Sequence, residues 1–179
     1  MRTRVLRILQ LEMARQCAFG IAAWQDLLAA LGGSQDDRVW YSVQALLVAA
    51  GNVSKLLWPS RKRSQDRGRT LRESLQVPDD SFLQPRNFRN HFEHFDERIE
   101  EWAEAAPHGA FVDSCISNRP LASVVSAGSP TLWLRNLDTS SWTVTFRGDS
   151  CDLSRLHQAL RDLHAVASIE AMRHDHVDP

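Results

Sequence analysis

A chain of 179 residues, 43% hydrophobic and 24% charged, is long enough to bury one full core without disulfide or metal staples, which excludes a disordered or collagen-like polymer. The formal net charge of −1 gives no overall pull towards nucleic acid, so an anionic partner must be met by a local patch. Cys17, Cys115 and Cys151 are widely spaced and match no zinc spacing, which points to free, buried thiols in a reducing compartment, with the cytoplasm as the default.

At the start of the chain Arg2, Arg4 and Arg7 precede apolar residues, but charge interrupts the run too often for a signal peptide. The longest apolar stretches, Cys17 to Trp24 and Ala45 to Ala50, are far short of a membrane span. Leu6, Leu9, Met13, Cys17, Gly20, Trp24, Leu28 and Leu31 recur by three or four and predict a long first helix, closed by Gly32-Gly33. Ser34 and the acidic pair Asp36-Asp37 then start a second helix, which carries Val39, Val43, Leu46, Leu47, Ala50, Val53 and Leu57 on its seam. Trp58-Pro59 ends it, giving two antiparallel helices joined by a tight turn. Ser60 to Gly68 reads as a basic, solvated connector, and Arg69 to Gln76 as one short helix. Arg61, Lys62 and Arg63 within that connector either keep a loop soluble or form a phosphate-attracting rim that binds RNA.

The stretch from Pro85 to Trp102 concentrates the reactive side chains. Phe88, Phe92, Phe95, Ile99 and Trp102 recur at steps of four, three, four and three and predict a helix whose apolar seam packs into the bundle. Pro85 suits its first turn, which would place Arg89 and Asn90 near a positive helix end that favours phosphate. Asn87, Asn90, His91, His94 and Arg98 share one flank, while Glu93, Asp96, Glu97 and Glu100 share the other with Arg89. Beyond Pro107 and Gly109 the texture turns to short β-like runs: Ser114 to Ser117, Leu121 to Ala127, Leu132 to Leu137 and Ser141 to Arg147. Asp138-Thr139-Ser140 supplies the turn between the last two, and Trp142, Val144 and Phe146 alternate with Thr143 and Thr145. Asp149 or Ser150 is expected to cap a last helix with Leu153, Leu156, Leu160, Leu163 and Ala167 on its seam, before a flexible tail over 174–179.

Arg89-Asn90-His91-Phe92-Glu93-His94 resembles the R-x4-6-H motif of the HEPN superfamily of helical domains, with Phe92 at the apolar position of the RNxφxH pattern. A second copy, Arg86-Asn87-Phe88-Arg89-Asn90-His91, overlaps it three residues earlier, so Arg86, Asn87 and His91 form a reserve register. Asp96 stands where the family often has a Tyr, a departure that bears on catalysis more than on fold. The resemblance covers residues 1 to 106 and the last helix and implies a mainly α, antiparallel four- to five-helix HEPN-like bundle; together with the β-like texture of 110–148, read as a small antiparallel insertion before the last helix, it gives a single domain over residues 1–179.

It further implies a metal-independent endoribonuclease, of toxin type, acting without a cofactor in a cleft between the motifs of two copies. The expected partners are then a second copy of the chain, RNA or a nucleotide, and a cognate antitoxin, with no membrane. His94 would be the general base, Arg89 would stabilise charge on the phosphorane and Asn90 would orient substrate or imidazole. Residues five apart on a helix diverge by about 140°, so one helix alone presents Arg89 and His94 awkwardly. Arg98 would need an acidic partner across the two-fold axis, Glu101 or Glu93 being the nearest. From a different class comes a non-catalytic HEPN-like module that holds a nucleotide, RNA or a partner with the same residues. A third reading, a metal-dependent hydrolase, would use His91 and His94 with Asp96, His164, His174 or His176, but no second acid-and-His pair at ligand spacing accompanies them.

Overall fold

The computed structural model describes residues 3–84, 94–105, 110–118 and 131–173. Among these, five helices carry most of the architecture: α1 (Thr3–Gly32), α2 (Asp36–Leu57), α3 (Gln65–Ser74), α4 (Phe95–Ala105) and α5 (Leu153–Met172). The six short strands are β1 (Ala110–Val112), β2 (Cys115–Ser117), β3 (Thr131–Trp133), β4 (Arg135–Asp138), β5 (Thr143–Phe146) and β6 (Asp149–Asp152). No helix among the described residues is long and apolar enough to cross a membrane.

Helix α1 is the axis of the bundle, lying antiparallel to both α2 and α5. Its Gln16 accepts a hydrogen bond from Asn52 of α2 at 3.0 Å, and its Arg7 donates to the Glu170 carbonyl of α5. Met13, Cys17, Leu27, Val43, Leu46, Leu57, Leu153 and Leu160 are fully buried between the three helices. Each side chain of this size contributes roughly 1.5–3 kcal/mol by leaving water. The expected seams hold with one shift: Leu27 is buried and Leu28 is exposed. The first turn ends on a residue other than the glycines. Gln35 N–H donates to the Ala30 carbonyl at 3.1 Å, closing a Schellman-type wrap with Ser34 at φ 51°. Ser34 is therefore the left-handed residue of the α1 terminus; the N-cap position of α2 falls to Gln35, with Asp36 and Asp37 in the first turn.

The β region departs from expectation. Strands β4, β5 and β6 are antiparallel, but β2 pairs parallel with β4, and β1 pairs parallel with β3. The sheet is thus mixed and not antiparallel. Alternation of apolar residues marks a strand but carries no information on the direction of its neighbour, and parallel neighbours need a crossover where antiparallel ones need only a hairpin. The two parallel pairs share one register, Ala110 opposite Thr131 and Ser117 opposite Asp138, interrupted where Arg135 forms a two-pronged bond to Asp113, with Nε 2.8 Å from Oδ1. Leu121 to Ala127, read as a weak strand, lies outside the described residues.

The Asp138-Thr139-Ser140 turn forms as expected. The Asp138 carboxylate accepts from Ser140 N–H at 2.8 Å and from the Ser141 hydroxyl at 2.7 Å. Strand β6 was not anticipated: Arg147 and Gly148, at φ 48° and 90°, make a two-residue hairpin that turns Asp149–Asp152 back along β5. With 149–152 in the sheet, the cap of α5 moves from Asp149 or Ser150 to Asp152, which accepts from Arg155 N–H at 2.8 Å.

Sheet and bundle meet at an aromatic cluster. Trp24 of α1 lies 4.9 Å from the Trp142 ring and is stacked at 9° on His157 of α5, centroids 4.8 Å apart. Burial, and then the nearby Arg161, push the His157 imidazole below its ordinary value. A histidine whose folded pKa is depressed binds protons more readily when unfolded, so stability is fully present above the unfolded value of about 6.5 and declines as pH falls through it. Urea unfolding between pH 7.5 and 5 should therefore show a loss that His157→Phe, which keeps a ring against Trp24, reduces. An unchanged pH slope in that variant would assign the loss to other groups.

Candidate functional site

The motif residues fall unevenly on the structure. Arg89 and Asn90 of the preferred register, and Arg86, Asn87 and His91 of the reserve register, lie outside the described residues, as do Pro85, Phe88 and Phe92. His94 is described. It stands immediately before α4, its carbonyl accepting the Arg98 N–H at 3.1 Å, and its ring is exposed. Nδ1 lies 3.7 Å from Oε1 of Glu97, an ion-pair distance for a protonated ring and too long for a hydrogen bond. Asp96 and Glu97 occupy the first turn of α4, where carboxylates are favoured by the unpaired N–H groups.

Helix α4 is not a core element. Phe95 is 56% and Ile99 38% exposed, Trp102 is half-buried, and none of the residues of α4 is buried, which corrects the expected packing of this seam into the bundle. The space between α1, α2 and α5 is already filled by their own aliphatic seams, so α4 rests outside it. There Phe95 and Ile99 border a cavity of about 170 Å³ shared with Gln44, Leu134, Arg135 and Phe146. Its tie to the sheet is ionic: Arg147, from the β5–β6 hairpin, bonds to Glu101. Arg147 and then Arg98 hold the Glu101 carboxyl below the usual carboxylate range. Arg98 finds Glu101 within its own chain at 2.9 Å, so the acidic partner expected across a two-fold axis is supplied in cis.

The basic connector is more ordered than its composition suggests. Lys62–Ser64 form a 3-10 turn that runs directly into α3 at Gln65, four residues before the expected start. Arg61, Lys62 and Arg63 are all exposed and have no ion-pair partner among the described residues, whereas Arg69 pairs with Asp66 and Arg72 with Asp79. Among the described residues these are three exposed cations side by side without an acidic partner, an arrangement that favours an anionic polymer.

Other side chains weighed for chemistry are placed as core or surface. Cys17 is pushed up to about 12 by burial, and Cys151 to about 11 by burial and then by Asp152, so neither is a ready thiolate. Trp24 and Trp58 are buried, and Trp40 donates its indole N–H to the Ser114 carbonyl at 2.9 Å. Among the described residues no three His, Cys, Asp or Glu side chains stand together as a metal-holding group; His91, His174 and His176 are outside that set. Arg135–Asp113 and Arg147–Glu101 escaped the sequence reading because each depends on strand register or a hairpin that spacing does not reveal. No family model matches the chain, and no curated protein or solved structure matches it.

Proposed function

We propose that this chain is a HEPN-like, metal-independent endoribonuclease of the toxin type, acting at a composite site assembled from two copies. The observation that supports it is His94. An imidazole at the lip of α4, exposed and outside the core, stands 3.7 Å from the Glu97 carboxylate and belongs to a run that also supplies Arg89 and Asn90. An imidazole, a permanent cation and an amide are the parts that in-line attack by a ribose 2′-hydroxyl requires. His94 takes the hydroxyl proton, Arg89 stabilises the phosphorane, Asn90 orients the reacting groups, and a cyclic phosphate end results. A cognate antitoxin would be the natural partner of such an activity.

The exposed Arg61, Lys62 and Arg63 supply affinity for RNA without taking part in the chemistry. Reversing all three to Glu should weaken binding of single-stranded RNA and lower the slope of log affinity against log salt by about 2, at ~0.7 per lost phosphate contact. Fluorescence anisotropy across a salt series reads this directly, and an unchanged slope would assign the run to plain solvation.

A second reading, a non-catalytic module that binds a nucleotide, RNA or a partner, is favoured by Asp96, which stands where the family often has a Tyr and is exposed beside His94. RNA cleavage with and without chelator separates the two, since the module binds RNA and leaves it intact.

A further inference from the structure

We propose that Arg147 and Glu101 form a clasp that holds α4 against the sheet and thereby sets the position of His94. Neither touches the substrate; both are positioning residues that act through the helix that follows His94.

Packing gives α4 little hold. The helix has 11 residues, none of them buried, and isolated helices shorter than ~12–15 residues are marginal in water. Its apolar edge does not close on the sheet. Phe95 and Ile99 border the cavity of about 170 Å³ and stay largely exposed, so their dispersion contacts are missing on one side. The charge of the helix is adverse as well: Asp96, Glu97, Glu100, Glu101 and Glu104 stand against the single cation Arg98, and the last turn carries no basic residue to meet the negative helix end. Arg147 brings a cation from outside. Its guanidinium bonds to Glu101 Oε2, and Arg98 Nη1 lies 3.1 and 2.9 Å from the two oxygens of the same carboxylate. With side chains 28% and 48% exposed, Arg147 and Glu101 are partly shielded from water, which sets them apart from a fully solvated surface pair.

Arg147 stands where a long side chain is disfavoured. Arg147 and Gly148 are the two-residue loop between β5 and β6, and both have positive φ, 48° and 90°. Asn-Gly is the preferred pair for such a turn, because Asn tolerates the left-handed region better than other side chains do. Asn would therefore serve the hairpin better than Arg, and what Arg adds is reach to Glu101. Its base is firm: the Arg147 N–H donates to the Leu134 carbonyl at 3.0 Å, which ties the turn to β4.

The clasp and His94 share one side of α4. His94, Arg98 and Glu101 follow at steps of four and three, the spacing of a single helix face. Arg98 links the other two, with its guanidinium on Glu101 and its N–H on the His94 carbonyl at 3.1 Å. A catalytic group displaced by ~1 Å can cost ~10²-fold in rate, so a helix free to shift would misplace the base. The consequence for cleavage rests on the ribonuclease function proposed above; the clasp itself does not.

Amide hydrogen exchange of the full chain, resolved by residue with NMR, tests the clasp without reference to activity. Arg147→Asn, which suits the turn, should speed exchange of the α4 amides, Arg98 among them, by roughly tenfold or more, while α1, α2, α5 and the β5–β6 hairpin keep the protection of the parent. Arg147→Lys, which keeps the charge, should retain most of the α4 protection. Glu101→Gln should match Arg147→Asn, and the double variant should be no worse than either, because both remove one interaction. In RNA cleavage Arg147→Asn should lower kcat by roughly tenfold or more and leave RNA binding through residues 61–63 unchanged, with Arg147→Lys restoring most of the rate. The clasp is overturned if the α4 amides of the parent are already unprotected, if Arg147→Asn leaves their exchange unchanged, or if the effects of the two substitutions simply add. Loss of α4 protection in a protein that cleaves no RNA would retain the clasp and remove the nuclease reading; cleavage that stays at the parent rate when α4 is released would remove the positioning role.

Discussion

RNA cleavage should persist in excess chelator and fall by ~10²–10⁴-fold in His94→Ala, the range that removal of a positioned general base produces. The size follows from the role: with Arg89 and Asn90 still present, phosphate positioning and charge stabilisation remain, while the ribose 2′-hydroxyl loses its proton acceptor. Because His94 is exposed and buries nothing in the core, thermal unfolding of His94→Ala should match the parent, so the loss reports on chemistry and not on folding. His91→Ala, assayed in parallel, decides between the two overlapping motif registers; a loss confined to that variant would transfer the roles to Arg86, Asn87 and His91. If cleavage stops in chelator and returns with zinc or manganese, a metal-dependent hydrolase replaces the present mechanism.

The helical core was readable because its signal is local. Met13, Cys17 and Trp24 on α1, Val43, Leu46 and Leu57 on α2, and Leu153 to Ala167 on α5 repeat at the helical period, and each is buried where that period places it. Towards the end of α1 the buried face turns to take in Ala23, Leu27 and Ala30, so Leu27 holds the buried place expected of Leu28. Phe95, Ile99 and Trp102 on α4 carry the same period yet are not buried, because periodicity says which residues share a face and not whether the bundle has room for that face. Only the volume already taken by α1, α2 and α5 decides this. The β region was legible as strands and illegible as topology. Trp142, Val144 and Phe146 predicted one face correctly, but nothing in Cys115-Ile116-Ser117 says that it runs parallel to Asn136-Leu137-Asp138. As for the site, the cations of residues 61–63 were visible as a charge run. The pairing of Arg147 with Glu101 was not, because it forms only where the β5–β6 hairpin meets α4.

Mixing inactive Arg89→Ala chains with inactive His94→Ala chains should restore about a quarter of the wild-type cleavage rate. The number follows from a symmetric dimer in which each site takes Arg89 from one copy and His94 from the other. Random exchange makes half of the dimers hybrid, and in each hybrid one site receives both substitutions and the other receives neither. The motivation is geometric. Arg89 and His94 are five residues apart, which on one helix would separate them by about 140°, so a second copy is the simplest source of the missing group. The flank of Asn87, Asn90, His91, His94 and Arg98 contains neither Lys nor carboxylate up to Glu101, and amides and neutral imidazoles can pair with copies of themselves where like charges would repel. Arg98, the one permanent charge on that flank, is already neutralised by Glu101 in its own chain, so two such flanks can approach without bringing uncompensated guanidinium groups together. Phe95 and Ile99, solvent-exposed on α4, add apolar surface beside the same edge. Light scattering establishes the mass in solution, and subunit exchange is followed with differently tagged chains. Exchange without recovery of activity would mean that each site is built within one chain, and a protein that remains monomeric at assay concentration would remove the composite site altogether.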